Sequence, residues 1–133
     1  MSIKRTDAVR VAVLASGRGS NLQAVIDAIE AGTVQAKIVA VISNKKDAPA
    51  LERARRHGLS DLFVDPKPYA GKPDSREAYD HELLEVLQRH DVELVLLAGY
   101  MKIVTKVLVE AFANRMMNIH PSLLPSFPGL DVQ

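Results

Sequence analysis

The sequence has no cysteine, which removes disulfides, thiolate nucleophiles and cysteine metal sites and agrees with a reducing cytosol. It also lacks an excess of either charge: 17 basic residues against 16 acidic ones leave a formal net charge of +1. Nothing in that balance asks for nucleic acid or an anionic membrane as partner, so any phosphate would have to be held by local groups. Long apolar runs are missing as well, the longest being about half of what a membrane span requires. The amino end is short, polar and charged, unlike a secretory leader. The expectation is a soluble, cytoplasmic protein. With thiols gone, histidine is the side chain left to titrate as a catalyst near neutral pH. At 133 residues the chain has the length of one domain and not of two.

What is present is an alternation of strand and helix patterns. Residues 9–15 are almost continuously apolar, broken only by Arg10, and stop at Ser16-Gly17-Arg18-Gly19-Ser20-Asn21, which reads as a buried strand running into a tight glycine turn. Leu22, Val25, Ile26 and Ile29 then share a helical face, with Ser20 or Asn21 as the amino-terminal cap and Gly32 just past the end. Residues 38–42 form a second strand and residues 48–57 a second helix closed by Gly58, a βαβ crossover. A short strand at 62–64 leads into a loop punctuated by Pro66, Pro68, Gly71 and Pro73. Asp74 or Ser75 caps a helix from about Arg76 to His90, on which Tyr79, Leu83, Val86 and Leu87 share a face. Residues 92–98 read as a deeply buried strand, Thr105 caps a helix through Phe112, and residues 116–119 make a last strand. Three prolines between 121 and 129 exclude regular structure there. The pattern predicts an α/β fold with three layers around a mostly parallel, doubly wound, Rossmann-like sheet.

Ligands of such sheets collect beyond the carboxyl ends of the strands, near the switch in strand order. Three polar or glycine-rich stretches fall there: residues 16–21, 99–104 and 118–122. In the first, Gly17 and Gly19 permit close approach of the backbone, and a helix starting at Ser20 or Asn21 aims free amides and a partial positive charge at an anion such as phosphate. The same turn also arises for packing alone. It fits a dinucleotide fingerprint poorly, because Leu22 occupies the third glycine position, and no Gly-Lys-Ser/Thr of a Walker loop follows. In the last stretch, Asn118 and His120 alternate about Ile119, so on a strand both polar side chains face one side while Ile119 faces the core. An amide that donates to a developing oxyanion, beside an imidazolium that donates or passes a proton, suits acyl or formyl transfer through a tetrahedral intermediate. An Asn-x-His can equally well do no more than end a strand. His57, His81 and His90 fall on helices or at their ends and read as solvated.

Five segments together resemble the phosphoribosylglycinamide formyltransferases: residues 16–24, Ser43-Asn44-Lys45, the run from Asp74 to Asp80, the run from Leu97 to Ile103, and Asn118-Ile119-His120-Pro121-Ser122-Leu123-Leu124-Pro125. Order and spacing agree over essentially the whole chain. The resemblance implies transfer of a formyl group from 10-formyltetrahydrofolate, as co-substrate, to the amine of glycinamide ribonucleotide in purine synthesis, with no metal and no nicotinamide or flavin. It implies that Gly19, Ser20 and Asn21 hold the substrate phosphate. By the same resemblance, Arg76, Met101, Lys102, Ile103, Val104 and Asn118 line the folate side, largely through backbone contacts, Asn118 serves as oxyanion partner and His120 as proton donor. Lys102 stands where arginine is common, a change compatible with a main-chain role and not with a bidentate guanidinium contact. Related methionyl-tRNA formyltransferases and formyltetrahydrofolate deformylases usually carry glycine or a second histidine after the Asn-x-His, where this chain has Pro121.

The resemblance further implies a catalytic aspartate in a loop later than residue 133, Asp131 being too close to the Asn-x-His to serve. The expectation is therefore a single amino-terminal α/β domain whose catalysis is incomplete without its carboxyl-terminal part, and a homodimer is left open. The rival reading is a phosphate- or nucleotide-binding module that uses only the glycine loop, or another enzyme of the same fold that uses formyltetrahydrofolate.

Overall fold

The computed structural model describes residues 7–119. The predicted apolar runs become strands β1 (Val9–Leu14), β2 (Ala36–Ser43), β3 (Asp61–Phe63), β4 (Leu94–Leu97) and β5 (Met116–Asn118). Between them lie helices α1 (Ser20–Glu30), α2 (Pro49–Arg56), α3 (Ser75–Arg89) and α4 (Lys106–Ala111). The strands pair in the order β3-β2-β1-β4-β5 and every pairing is parallel. The chain thus builds outward from β1 to one edge, returns, and builds outward from β4 to the other. That reversal puts the topological switch between β1 and β4, the place where doubly wound sheets open a crevice.

Alternation along the strands divides the core in two. Val11, Val13, Ile38, Val41 and Leu96 pack with α1 and α2 on one face. Ala12, Leu14, Ala40, Ile42 and Val95 pack with α3 and α4 on the other. Helices on both faces give the three layers expected from the pattern. Among the described residues no helix is long and apolar enough to cross a membrane.

Arg10, which breaks the first apolar run, has a structural reason. Its Nη2 donates to the His90 carbonyl at 2.8 Å and its Nε to the Asp91 carbonyl at 3.0 Å. The guanidinium thus supplies donors to carbonyls just past the end of α3, which the helix itself cannot pair. Asp91 sits at φ 54°, turning the chain sharply into β4. The loop of prolines at 66–73 contains one turn of 3₁₀ helix, Lys67–Tyr69, that the sequence pattern does not announce.

The start of α1 differs from expectation. Its cap is Gly19 rather than Ser20 or Asn21, and no side chain bonds the first turn. Gly19 lies at φ 89°, and a Cβ there would fall 2.9 Å from the Cα of Ala50 and 3.1 Å from Arg53 Nε. Close packing of α2 beneath the turn therefore demands glycine before any ligand is considered. Gly17 is the opposite case: a Cβ would meet nothing within 4 Å. Gly19→Ala should destabilise the fold by at least about 1–3 kcal/mol, the cost of a strained left-handed residue, read as a lowered midpoint of urea unfolding at unchanged slope.

Candidate functional site

Residues 16–21 and 99–104 meet where β1 and β4 end, with Asn118 and Ile119 of the third stretch close by, and Ser16 joins the first two to a third strand. Its amide donates to the Gly99 carbonyl at 3.1 Å. Its hydroxyl accepts from the Met101 amide at 2.8 Å and donates to Asn44 Oδ1 at 2.6 Å. Ser16 is only 3% exposed, so one buried hydroxyl ties together the segments that follow β1, β2 and β4. This role carries little signal in the sequence, since a serine before a glycine turn reads as turn composition.

In the first loop, Gly17, Arg18 and Ser20 are exposed while Gly19 is buried against α2. The first amides of α1 have no intrahelical partner and open the helix toward the crevice, the arrangement that receives anions. Arg53 of α2 lies beneath the loop. Its Nη1 donates to Gln23 Oε1 at 3.0 Å, and its buried Nε finds no acceptor among the described residues. Arg18 is thus not the sole guanidinium beside the turn, a neighbour that only the packing of α2 reveals. Asn21 does not cap the helix; its Nδ2 donates to the Ile119 carbonyl at 3.4 Å, and Gly99 leaves it room at 3.9 Å from where a Cβ would stand. The glycine turn and the residue preceding His120 therefore share one end of the sheet.

The second loop runs from Gly99 to Thr105. Met101 and Ile103 are 76% and 59% exposed, whereas the Lys102 ammonium lies over the Tyr79 ring, 4.6 Å from its centroid. Burial pushes the phenols of Tyr79 and Tyr100 well above the ordinary tyrosine range, so the ring under Lys102 stays neutral and the contact is of the cation–π type. Lys102 is thus directed at α3. Arg76 is exposed on the first turn of α3, three and four residues before Tyr79 and Asp80, and so on the same face. Asp80 is 1% exposed and its Oδ2 accepts from both the amide (2.8 Å) and the hydroxyl (2.7 Å) of Thr105.

A cavity of about 520 Å³ opens beside this loop, lined by Leu97, Val104, Val109, Phe112, Met116 and Asn118 among others. It is apolar apart from the asparagines, and it places Val104 and Asn118 on one wall system. Met116 packs into the α3 and α4 face of the core and Ile119 into the opposite one, which is the alternation expected for β5. His120 lies outside the described residues, as do Pro121 and Ser122. A second cavity, about 260 Å³, opens at the other end of the strands among Val9, Ala36 and Leu94 and is lined by no described residue of the three loops. Among the described residues no group of three or more histidine, aspartate or glutamate side chains could hold a metal ion.

The arrangement offers an anion site on the α1 face and an apolar slot with an amide donor on the α4 face, meeting at the carboxyl ends of β1, β4 and β5. Several known proteins are closely similar to this chain. It is 46% identical over 122 residues to phosphoribosylglycinamide formyltransferase of Escherichia coli K12, a match that covers 92% of this chain and 56% of that protein. It is 51% identical over 126 residues to the trifunctional purine biosynthetic protein adenosine-3 of Drosophila pseudoobscura, covering 93% of this chain and 9% of that one. The crystal structure of glycinamide ribonucleotide transformylase 1 from Symbiobacterium toebii superposes with a TM-score of 0.79 at 47% identity, over 95% of this chain and 57% of the other. The chain thus spans a little over half the length of these two bacterial relatives. With the formyl transferase family model matching residues 9–133, and with relatives of that name sharing its parallel sheet, the chain belongs to the formyl transferase family.

Proposed function

We propose that this chain is the substrate-phosphate half of a phosphoribosylglycinamide formyltransferase, one α/β domain of a longer catalytic fold. The whole protein transfers the formyl group of 10-formyltetrahydrofolate to the amine of glycinamide ribonucleotide in purine synthesis. The observation that carries the reading is the 3.4 Å contact of Asn21 with the Ile119 carbonyl. It sets the opening of the first helix against the last described residue before His120, so a sugar phosphate held at one can present its amine beside the other.

Each step then falls to a named group. Amides at Gly19, Ser20 and Asn21 receive the phosphate, a use of the helix terminus that needs no overall positive charge. The pterin enters the cavity that Val104 and Asn118 line, with Met101, Lys102 and Ile103 contributing backbone and Arg76 flanking the mouth from α3. The substrate amine attacks the formyl carbon directly. The Asn118 amide donates to the oxyanion as it forms. Protonated His120 stabilises the same charge and gives its proton to the departing tetrahydrofolate nitrogen, and the proton lost by the attacking amine restores the imidazolium. No covalent enzyme intermediate is formed.

Calorimetric titration of the purified chain with glycinamide ribonucleotide and, separately, with a folate analogue tests the reading. Two independent sites are expected; binding of the phosphate ester with indifference to folate would instead make the chain a phosphate-binding module. Asn21→Asp sets a carboxylate against the phosphate and should weaken the ribonucleotide by at least roughly tenfold, like charges at an interface being strongly unfavourable, while leaving the folate analogue within error. In an active protein that carries this chain, His120→Ala should lower turnover by roughly 10²–10⁴-fold, the usual share of acid–base help. Ribonucleotide affinity should stay nearly intact, and lost affinity with retained turnover would reverse the roles assigned.

A further inference from the structure

We infer that Asp80 is a positioning residue for the folate-side loop: its buried carboxylate on α3 holds Thr105 by two hydrogen bonds and so fixes the rear of the loop, where Val104 lines the cavity. The inference rests on the reading of that cavity as the pterin site.

Hydrogen bonds fasten the loop at its two ends. At the front, the Gly99 carbonyl and the Met101 amide are held by Ser16. At the rear, Asp80 Oδ2 accepts from the Thr105 amide at 2.8 Å and from its hydroxyl at 2.7 Å. Between these points Met101 and Ile103 project into open space, 76% and 59% exposed, and add no packing. Lys102 leans back onto Tyr79, the residue beside Asp80, and Tyr100 and Val104 pack against the α3 and α4 face of the core. The place of Val104 on the cavity wall is therefore set by that packing together with the rear fastening of its neighbour Thr105.

A carboxylate that is 1% exposed is a costly choice for a helix face packed in the core, since burying a charge is unfavourable unless hydrogen bonds to it compensate. Two donors from one residue supply that compensation here, and bonds to an ionised acceptor are the stronger kind. The Thr105 hydroxyl is used twice. It donates to Asp80 and accepts from the Val107 amide at 3.3 Å, capping α4. The start of α4 and the end of the loop are thereby fixed to α3 through one side chain. Helix α4 forms the far side of the same cavity through Val109. Loosening this point should open the pterin slot without touching the glycine turn, which lies on the other face of the sheet.

The test is titration of the wild-type chain and of Thr105→Val, Thr105→Ser and Asp80→Asn with a folate analogue and with glycinamide ribonucleotide. Valine removes the hydroxyl donor at similar size, so the folate dissociation constant should rise roughly tenfold, in line with one lost hydrogen bond to a charged group, while ribonucleotide binding stays within about twofold. Serine retains both donors and should restore the folate affinity to within about twofold of wild type. The Asp80→Asn variant keeps an acceptor without the charge and should match the loss seen with valine or exceed it; should that variant not fold, the threonine pair decides the matter alone. Wild-type folate affinity in Thr105→Val, equal loss of both ligands, or failure of serine to restore binding would overturn the inference while leaving the proposed function standing. A wild-type chain that bound the ribonucleotide and ignored folate would overturn the pterin reading and this inference with it.

Discussion

Past the pair Leu14 and Leu97, two more bonds join the β1 and β4 segments, from the Ala98 amide to the Leu14 carbonyl and from the Ser16 amide to the Gly99 carbonyl; there the strands part, the chain leaving one toward α1 on one face of the sheet and the other toward α4 on the opposite face. Backbone groups at such a parting lose their ladder partners and must be satisfied by other means. The Ser16 hydroxyl and amide meet part of that demand, binding Met101, Asn44 and Gly99 at once. Everything assigned to function hangs from this junction. The glycine turn follows Ser16 directly, the loop proposed to face folate follows Gly99, and Asn21 reaches across to the end of β5.

Charge is used sparingly and locally. With a net charge of +1 the molecule has no broad field to draw in anions, so on the proposed reading recognition of a phosphate falls to helix amides held in fixed orientation. The groups that hold them are themselves polar. Arg53 packs under Gly19 and bonds Gln23, and on the other face Asp80 plays the corresponding part for the loop that ends at Thr105. Each proposed ligand surface thus has a charged side chain behind it, placed to shape backbone.

Formyl transfer asks for two substrates brought together edge to edge with the reacting atoms aligned. A doubly wound sheet supplies that naturally, since helices on opposite faces can each present a site at the same strand ends. The α1 face offers an anion cradle and the α4 face an apolar slot of about 520 Å³, with β5 between them. Asn118 and Ile119, adjacent in sequence, point to these two faces in turn. On the proposed reading, the short strand β5 is accordingly where the two substrates meet.

The sequence by itself determined the order of elements, the parallel three-layer sheet and the loops 16–21 and 99–104 at its carboxyl edge, because apolar periodicity and glycine or proline punctuation are local signals. It also identified its family, through five short segments, and the family model matches residues 9–133. Three things it did not disclose. Gly19, and not Ser20 or Asn21, caps α1, because the close approach of Ala50 and Arg53 is a contact between elements separated by a whole strand and its loops. Asn21 bonds the far end of β5, 98 residues away. Asp80 reads as an ordinary polar position on a helix and turns out to be buried beneath Thr105. Local pattern tells which residues turn inward, but which of them then meet is settled by strand order and helix packing, and those are properties of the folded chain alone.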